Sequence, residues 1–200
     1  MKVSVLVGLL LGLATVGAQA SPWTVKVGAS QVRPDASLAG MNVDVSDEVN
    51  LTGSIEYELM PNVIGEVLLA VPFTHDVENN GTKIASFKHL PPTVSVKYNL
   101  PTTGGFTPYV GAGINYTFVF DEETSGALAS SKLKGDDSFG FSAVVGVGYQ
   151  YPNSPWGVAL DVRYINIESD LTIKDANNNI TEGTLKVDPT VVSLSASYKY

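Results

Sequence analysis

The chain has 200 residues, 44% of them apolar and 16% charged, with no cysteine; that is one domain's worth of sequence, too apolar for disorder and without thiols for disulfides or thiolate metal sites. A formal charge of −8 and a pI near 4.6 argue against the clustered positive surface that nucleic-acid binders use to displace counterions. Nineteen glycines and nine tyrosines beside only two histidines favour an all-β chain.

Residues 1–20 read as an address. Met1-Lys2 is a short positive start, residues 3–16 are almost wholly apolar, and Ala18-Gln19-Ala20 sets small residues where a signal peptidase cuts. The apolar run falls short of the roughly 20 residues that a spanning helix needs. Cleavage after Ala20 is therefore predicted, with residues 21–200 as the mature domain. No later stretch is apolar enough for a spanning helix, which leaves a protein soluble outside the cytoplasm or a barrel inserted by strands.

Eight segments follow that alternate at period two. Their apolar parity carries Trp23, Val25, Val27 and Ala29, then Leu51, Gly53, Ile55, Tyr57 and Leu59. The third segment offers Val63, Gly65, Val67, Leu69, Val71 and Phe73, and the fourth Pro92, Val94, Val96, Tyr98 and Leu100. Pro108, Val110, Ala112, Ile114, Tyr116 and Phe118 form the fifth, and Phe139, Phe141, Ala143, Val145, Val147, Tyr149 and Tyr151 the sixth. The last two give Trp156, Val158, Leu160, Val162 and Tyr164, and then Val192, Leu194, Ala196, Tyr198 and Tyr200. None of these positions is charged. The opposite parity, with Gly28, Ser30, Thr52, Ser54, Thr93, Ser95, Gly111, Gly113, Asn115, Ser142 and Gly146, is too slight for the Lys- and Glu-rich coat of a soluble sandwich. It fits a narrow lumen, and the segment lengths fit tilted strands of about 9 to 11 residues crossing hydrocarbon.

Aromatic placement agrees. Fourteen of the 18 aromatics fall on the apolar parity and sort to the two ends of the segments, as Trp and Tyr settle at the two headgroup levels of a membrane barrel. Connections at residues 60–62, 101–105 and 152–155 are short and uncharged, whereas residues 34–48, 74–88, 121–137 and 168–186 are long polar loops. Short turns on one rim and long loops on the other complete the pattern of an all-β, eight-stranded antiparallel transmembrane β-barrel with both termini periplasmic.

Several runs resemble a known family. Ala70-Val71-Pro72-Phe73-Thr74-His75, His89-Leu90-Pro91-Pro92-Thr93-Val94 and Pro108-Tyr109-Val110-Gly111-Ala112-Gly113-Ile114-Asn115-Tyr116-Thr117 are similar to motifs of the outer membrane protein W family. So are the acidic run after Phe120, Asp188-Pro189 before the last segment, and the terminal Tyr198-Lys199-Tyr200. The resemblance implies a barrel in the outer membrane of a Gram-negative bacterium that passes small, mainly hydrophobic molecules and releases them sideways through its wall. It also makes Tyr200 a contact for the barrel-assembly machinery.

The lumen parity bears on mechanism. Its ionisable residues, Lys26, Glu56, Glu58, Glu66, Lys97, Asp161 and Arg163, sit at one level in the periplasmic half and are expected to form a polar plug. The bland alternative is that they only fill the bore. Above them Leu68, Ala70, Val119, Val144, Ile165 and Ile167 turn the lumen into an apolar funnel. Pro72, Pro91 and Pro92, at the extracellular ends of neighbouring strands, cannot donate ladder hydrogen bonds and mark a candidate lateral seam, or simply strand ends.

Other constellations weigh less. His75 and His89 lack the spaced partners of a metal site, and Ser86, His89 and Asp76 are near in sequence without forming a recognisable triad. Asp121-Glu122-Glu123 and Asp136-Asp137 read as a solvated acidic loop, with a Ca²⁺ or lipopolysaccharide bridge as the sharper alternative. The expectation is a monomer without enzyme activity, cofactor or metal, whose partners are outer-membrane lipid, lipopolysaccharide and small hydrophobic solutes. The rival reading is a structural or interaction barrel, a surface receptor for phage, bacteriocin or a host partner that transports nothing.

Overall fold

The computed structural model describes residues 21–38, 41–42, 44–79, 82–124, 132–174 and 179–200; the predicted signal segment, residues 1–20, lies outside them. All regular structure among these residues is strand. In chain order the strands are β1 (Trp23–Arg33), β2 (Ala36–Leu38), β3 (Met41–Asn42), β4 (Asp44–Val45), β5 (Glu48–Met60), β6 (Val63–Ala70), β7 (Phe73–Asn79) and β8 (Thr82–Leu90). They continue as β9 (Thr93–Asn99), β10 (Phe106–Thr124), β11 (Lys132–Gly135), β12 (Ser138–Gln150), β13 (Trp156–Ile165), β14 (Glu168–Lys174), β15 (Ile180–Val187) and β16 (Thr190–Lys199).

Eight of these close into an antiparallel barrel in the order β1, β5, β6, β9, β10, β12, β13, β16 and back to β1. Closure satisfies every stave on both edges, which hydrocarbon demands because it offers no water to an unpaired N–H or C=O. The apolar parity points outward: Val96, Val145 and Leu160 are 54%, 57% and 48% exposed, whereas Ser95, Val144 and Ala159 beside them are buried. A soluble core would reverse that assignment.

Aromatic pairs ring both rims. On the periplasmic side Trp23 packs on Tyr57 (4.7 Å between centroids), Phe106 on Tyr149 (4.7 Å) and Trp156 on Tyr198 (4.9 Å). On the other rim Tyr116 packs on Phe118 (4.9 Å) and Phe141 on Tyr164 (5.9 Å). The periplasmic turns are tight, with Asn62 and Asn153 in the left-handed region at φ 67° and 54°, a conformation that asparagine tolerates better than most residues.

The long connections differ from the sequence reading. Within residues 74–88, expected as a polar loop, 74–79 and 82–88 pair instead as β7 and β8, and within residues 168–186, 168–174 and 180–186 pair as β14 and β15. In β14/β15 the outward face carries Glu168, Asp170 and Lys186 while Ser169, Leu185 and Val187 are buried, so the sequence lacks the uncharged, apolar outward parity that reveals a strand within the bilayer. Lys186 and Glu168 pair across β14/β15 at 2.8 Å, and that hydrogen bond holds the Lys186 ammonium above the ordinary lysine range.

The outward assignment predicts a position-dependent response to charge. Val145→Arg, at mid-band, should lower unfolding stability in lipid vesicles by about 2–4 kcal/mol, while Ile180→Arg on the extracellular hairpin should cost less than about 0.5 kcal/mol. Urea titration of the two variants measures the difference, and equal losses would contradict a lipid-facing Val145.

Candidate functional site

The floor of the lumen is built by opposed charges. Glu56 on β5 and Glu66 on β6 face each other across the ladder, an arrangement of like charges that destabilises a sheet unless a cation lies between them. Lys97 on β9 supplies it, donating to Glu66 at 2.7 Å and to Glu56. Lys26 on β1 adds a second ammonium to Glu56 at 2.7 Å, and Arg163 on β13 donates to the other oxygen of Glu66 at 2.5 Å and to Ser95 Oγ at 2.9 Å. Lys97, Glu66 and Arg163 are each no more than 4% exposed at the side chain. Asp161 joins through the Tyr109 hydroxyl, at 3.1 Å. Three cations thus balance three carboxylates, and desolvated charges persist only when so paired.

Tyr109 is the member that charge-based reading missed. Its ring lies beneath both ammonium groups, 5.0 Å from Lys26 Nζ and 4.9 Å from Lys97 Nζ, and binds them through the negative face of its π-system. The ring crosses Gly146, its direct ladder partner, where a Cβ would stand 2.5 Å from Tyr109 Cζ. Gly111 does the same for Lys97, whose Cγ would lie 2.7 Å from an added Cβ. An inward glycine opposite an inward tyrosine was the available signal.

Glu58 was expected in this layer and lies one step below it: still in register opposite Ile64 and on the inward parity, it lines the space beneath the floor, 3.9 Å from Lys199, and makes no ion pair with the floor cations. Below the floor a vestibule of about 310 Å³, lined by Lys26, Glu56, Tyr109, Asn99 and Lys199 among others, opens to the periplasm. Beside the charged residues a cavity of about 20 Å³ lies next to Asp161, Arg163 and Ser193, room for about one water.

Higher up, the lumen divides into two arcs. Val32, Ala70, Ile165, Ile167 and Val191 form a buried apolar cluster with Leu90 packed against it. Of the other predicted funnel residues, Val144 is buried at the level of Arg163, its ladder partner, and Leu68 and Val119 are half-buried. Thr93, Asn115, Thr117, Ser138 and Ser142 face the bore from β9, β10 and β12 and are all buried. The two arcs meet in height, since Ser142 pairs directly with Ile165.

The wall is interrupted beside the apolar arc. β6 and β9 pair from Val63↔Tyr98 to Leu68↔Thr93, and β7 and β8 pair from Phe73↔His89 upward, shifted by one residue. No ladder pair joins residues 69–72 to residues 90–92, where Pro72, Pro91 and Pro92 lie. Each flank is instead held by its outer neighbour: Val71 N donates to Leu51 O at 3.0 Å, Asn50 Nδ2 to Pro72 O at 3.1 Å, and Tyr116 N to Pro92 O at 3.1 Å. Tyr116 belongs to the outer aromatic ring, so the gap opens at the boundary of the outer leaflet. Ala70 and Leu90 stand on its inner side.

Ser86 is buried, the side chains of His75, Asp76, His89 and residues 121–123 lie outside those described, and no group of three His, Cys, Asp or Glu suited to a metal occurs among the described residues.

The floor network predicts an asymmetric mutational response. Glu66→Ala strips Arg163 of its carboxylate and leaves Lys97 one acceptor short, and should cost about 3–5 kcal/mol in urea unfolding. Lys199→Ala, at the rim, should stay within about 1 kcal/mol. Comparable small losses would show a hydrated floor rather than a sealed one.

Comparison with known proteins places this architecture. Residues 12–200 match the OmpW family. The chain is 34% identical over 197 residues to outer membrane protein W of Vibrio cholerae serotype O1, covering 91% of this chain and 90% of that protein. It is 27% identical over 202 residues to the dibenzothiophene metabolism operon protein PahQ of Pseudomonas aeruginosa, covering 92% and 90%. The crystal structure of the outer membrane protein OprG from Pseudomonas aeruginosa superposes with a TM-score of 0.80 at 28% identity, over 92% of this chain and 98% of that one. An outward apolar band between two aromatic rings, a closed eight-stranded wall and a match along nearly the whole chain lead to one conclusion: the protein belongs to the OmpW family and resides in the outer membrane of a Gram-negative bacterium.

Proposed function

We propose that the barrel is a passive uptake channel for small hydrophobic molecules, with exit through the wall between β6 and β9. The observation that carries this reading is the missing stretch of ladder at residues 69–72 and 90–92, directly outside the apolar cluster that contains Ala70 and Leu90. A solute dissolved among Val32, Ile165 and Val191 meets a floor of paired charges below, which is a poor solvent for it. The same solute meets a wall beside it whose prolines supply no N–H to close the gap. The sideways route therefore costs least. A relative named for a dibenzothiophene metabolism operon is consistent with a hydrophobic cargo. The rival, an interaction barrel without transport, draws support from the filled lumen floor, and the two readings separate on one measurement.

Uptake of a labelled alkane by intact cells that lack or express the protein is that measurement. Expression should raise the rate, and no increase would favour the interaction barrel. Pro92 turns its backbone toward β10, where its carbonyl accepts from Tyr116 N, so Pro91→Thr is the change that restores an N–H on the seam side of the strand. It should slow uptake roughly fivefold if one ladder hydrogen bond of about 1 kcal/mol biases the wall toward closure. A rate equal to that of the unaltered protein would count against the seam.

A further inference from the structure

Two buried side-chain atoms among the described residues have no hydrogen-bond partner, Asn115 Oδ1 and Ser142 Oγ, and both stand on the polar arc of the upper lumen. Asn115 Nδ2 donates to Thr117 Oγ1 at 3.0 Å, which leaves Oδ1 as an acceptor in want of a donor. Its near neighbours do not supply one. Thr93, its ladder partner on β9, gives its hydroxyl to Pro91 O at 3.1 Å, and its partner on β12 is Gly140, where an added Cβ would come within 3.0 Å of Oδ1. Ser142 pairs with Gly113, so Asn115 and Ser142 are diagonal neighbours on one inward face, about 7–8 Å apart and able to converge on a single group between them. Buried groups of this kind carry an unmet demand for a partner.

Their position gives that demand a direction. Thr93 is the first strand residue after Pro91-Pro92, so Asn115 lies one rung inside the gap in the wall. Ser142 faces Ile165 of the apolar cluster across the next ladder. The upper lumen is thus two-faced at a single height, with aliphatic side chains on one arc and an unsatisfied acceptor and hydroxyl on the other.

We infer that Asn115 and Ser142 form a hydrogen-bonding subsite for the transported solute, and that the favoured solute is an apolar body bearing one hydroxyl, an alcohol or phenol, rather than a bare hydrocarbon. The solute hydroxyl donates to Asn115 Oδ1 and accepts from Ser142 Oγ, while its hydrocarbon part lies against Ile165, Val191 and Ala70. The inference rests on the transport reading above and narrows its substrate class. Hydrocarbons still pass, but they leave the two polar atoms unpaired and so bind more weakly.

The test compares p-cresol with toluene, which share a shape and differ by the hydroxyl, on the mature barrel in lipid nanodiscs, with empty nanodiscs subtracted. The unaltered protein should bind p-cresol at least about fivefold more tightly than toluene, and p-cresol alone should shift the Asn115 side-chain amide signals in an NMR titration. In Asn115→Leu the affinity ratio should fall to near one. Ser142→Ala, a smaller change that the barrel tolerates more readily, should lower it part of the way, and heat-modifiable gel mobility reports that each variant is folded. Equal binding of the two ligands to the unaltered protein, or a p-cresol preference that survives both substitutions, overturns the inference while leaving transport intact; an ordered water would then be the partner of Asn115. Failure of both ligands to bind overturns the transport reading with it.

Discussion

Hydrocarbon offers no hydrogen bonds, and this constraint orders everything else in the molecule. A chain that crosses it as strands must close its ladder completely, and β1 returns to β16 for that reason. Against such a demand a stretch of unpaired backbone is conspicuous. The gap at residues 69–72 and 90–92 sits at the level of the outer aromatic ring rather than at mid-band, where water and headgroups can still reach freed carbonyls. Placed lower, the same prolines would expose polar backbone to acyl chains. The position of the gap is therefore a compromise between leaving the wall weak and keeping it in the membrane.

Narrowness is the second consequence of closure. Eight strands enclose little more than their own side chains, so each charge in the bore must find its counterpart within a few ångströms. Glu66 does so twice, accepting from Lys97 and Arg163 on opposite sides of the lumen, and thereby links β6, β9 and β13 across the bore. The strands this network ties together include both strands that flank the gap. A firm floor holds β6 and β9 in place below Leu68 and Thr93, which confines any opening to the segment above. The wall is thereby divided into a tied half and a loose half, and the proposed exit uses the second without disturbing the first.

Much of this was legible in the sequence because a bilayer imposes strict parity. Inward and outward residues could be assigned from alternation alone, and Lys26, Glu56, Glu66, Lys97, Asp161 and Arg163 share a level because counting residues from the periplasmic turns measures height along a strand. Glu58 keeps the inward parity but stands two residues nearer the periplasmic turn than Glu56, about 7 Å along the strand, which takes it out of reach of the floor cations and beside Lys199 instead. Tyr109 escaped that counting: it carries no charge, and its role depends on the absence of a side chain at Gly146, on a strand about 37 residues away that only the closed ladder brings opposite. The β14/β15 hairpin was illegible because charged residues such as Glu168, Asp170 and Lys186 occupy the face that within the bilayer would be apolar. Val32 and Val191, which complete the apolar cluster, stand on the inward parity of β1 and β16 and could have been named by the rule that found Ile165.

The two-faced upper lumen also explains why polar residues persist there. An aliphatic lining throughout would bind hydrocarbon solutes more tightly and release them more slowly, because transfer into an apolar pocket gains about 25 cal/mol for each Å² buried. Hydroxyls and an amide on β9, β10 and β12 cap that gain, and they make the lumen a mediocre solvent for the same molecules that the apolar arc attracts. For the proposed passive conduit, moderate affinity is an advantage: net flow follows the gradient only as fast as solute leaves the site. Ser30, Thr52 and Ser193, joined at 2.7 and 2.8 Å just beneath the apolar cluster, separate that arc from the charged floor, so an apolar solute meets a graded boundary. On the proposed uptake route its path ends above Arg163, at the height where the neighbouring wall has lost its ladder.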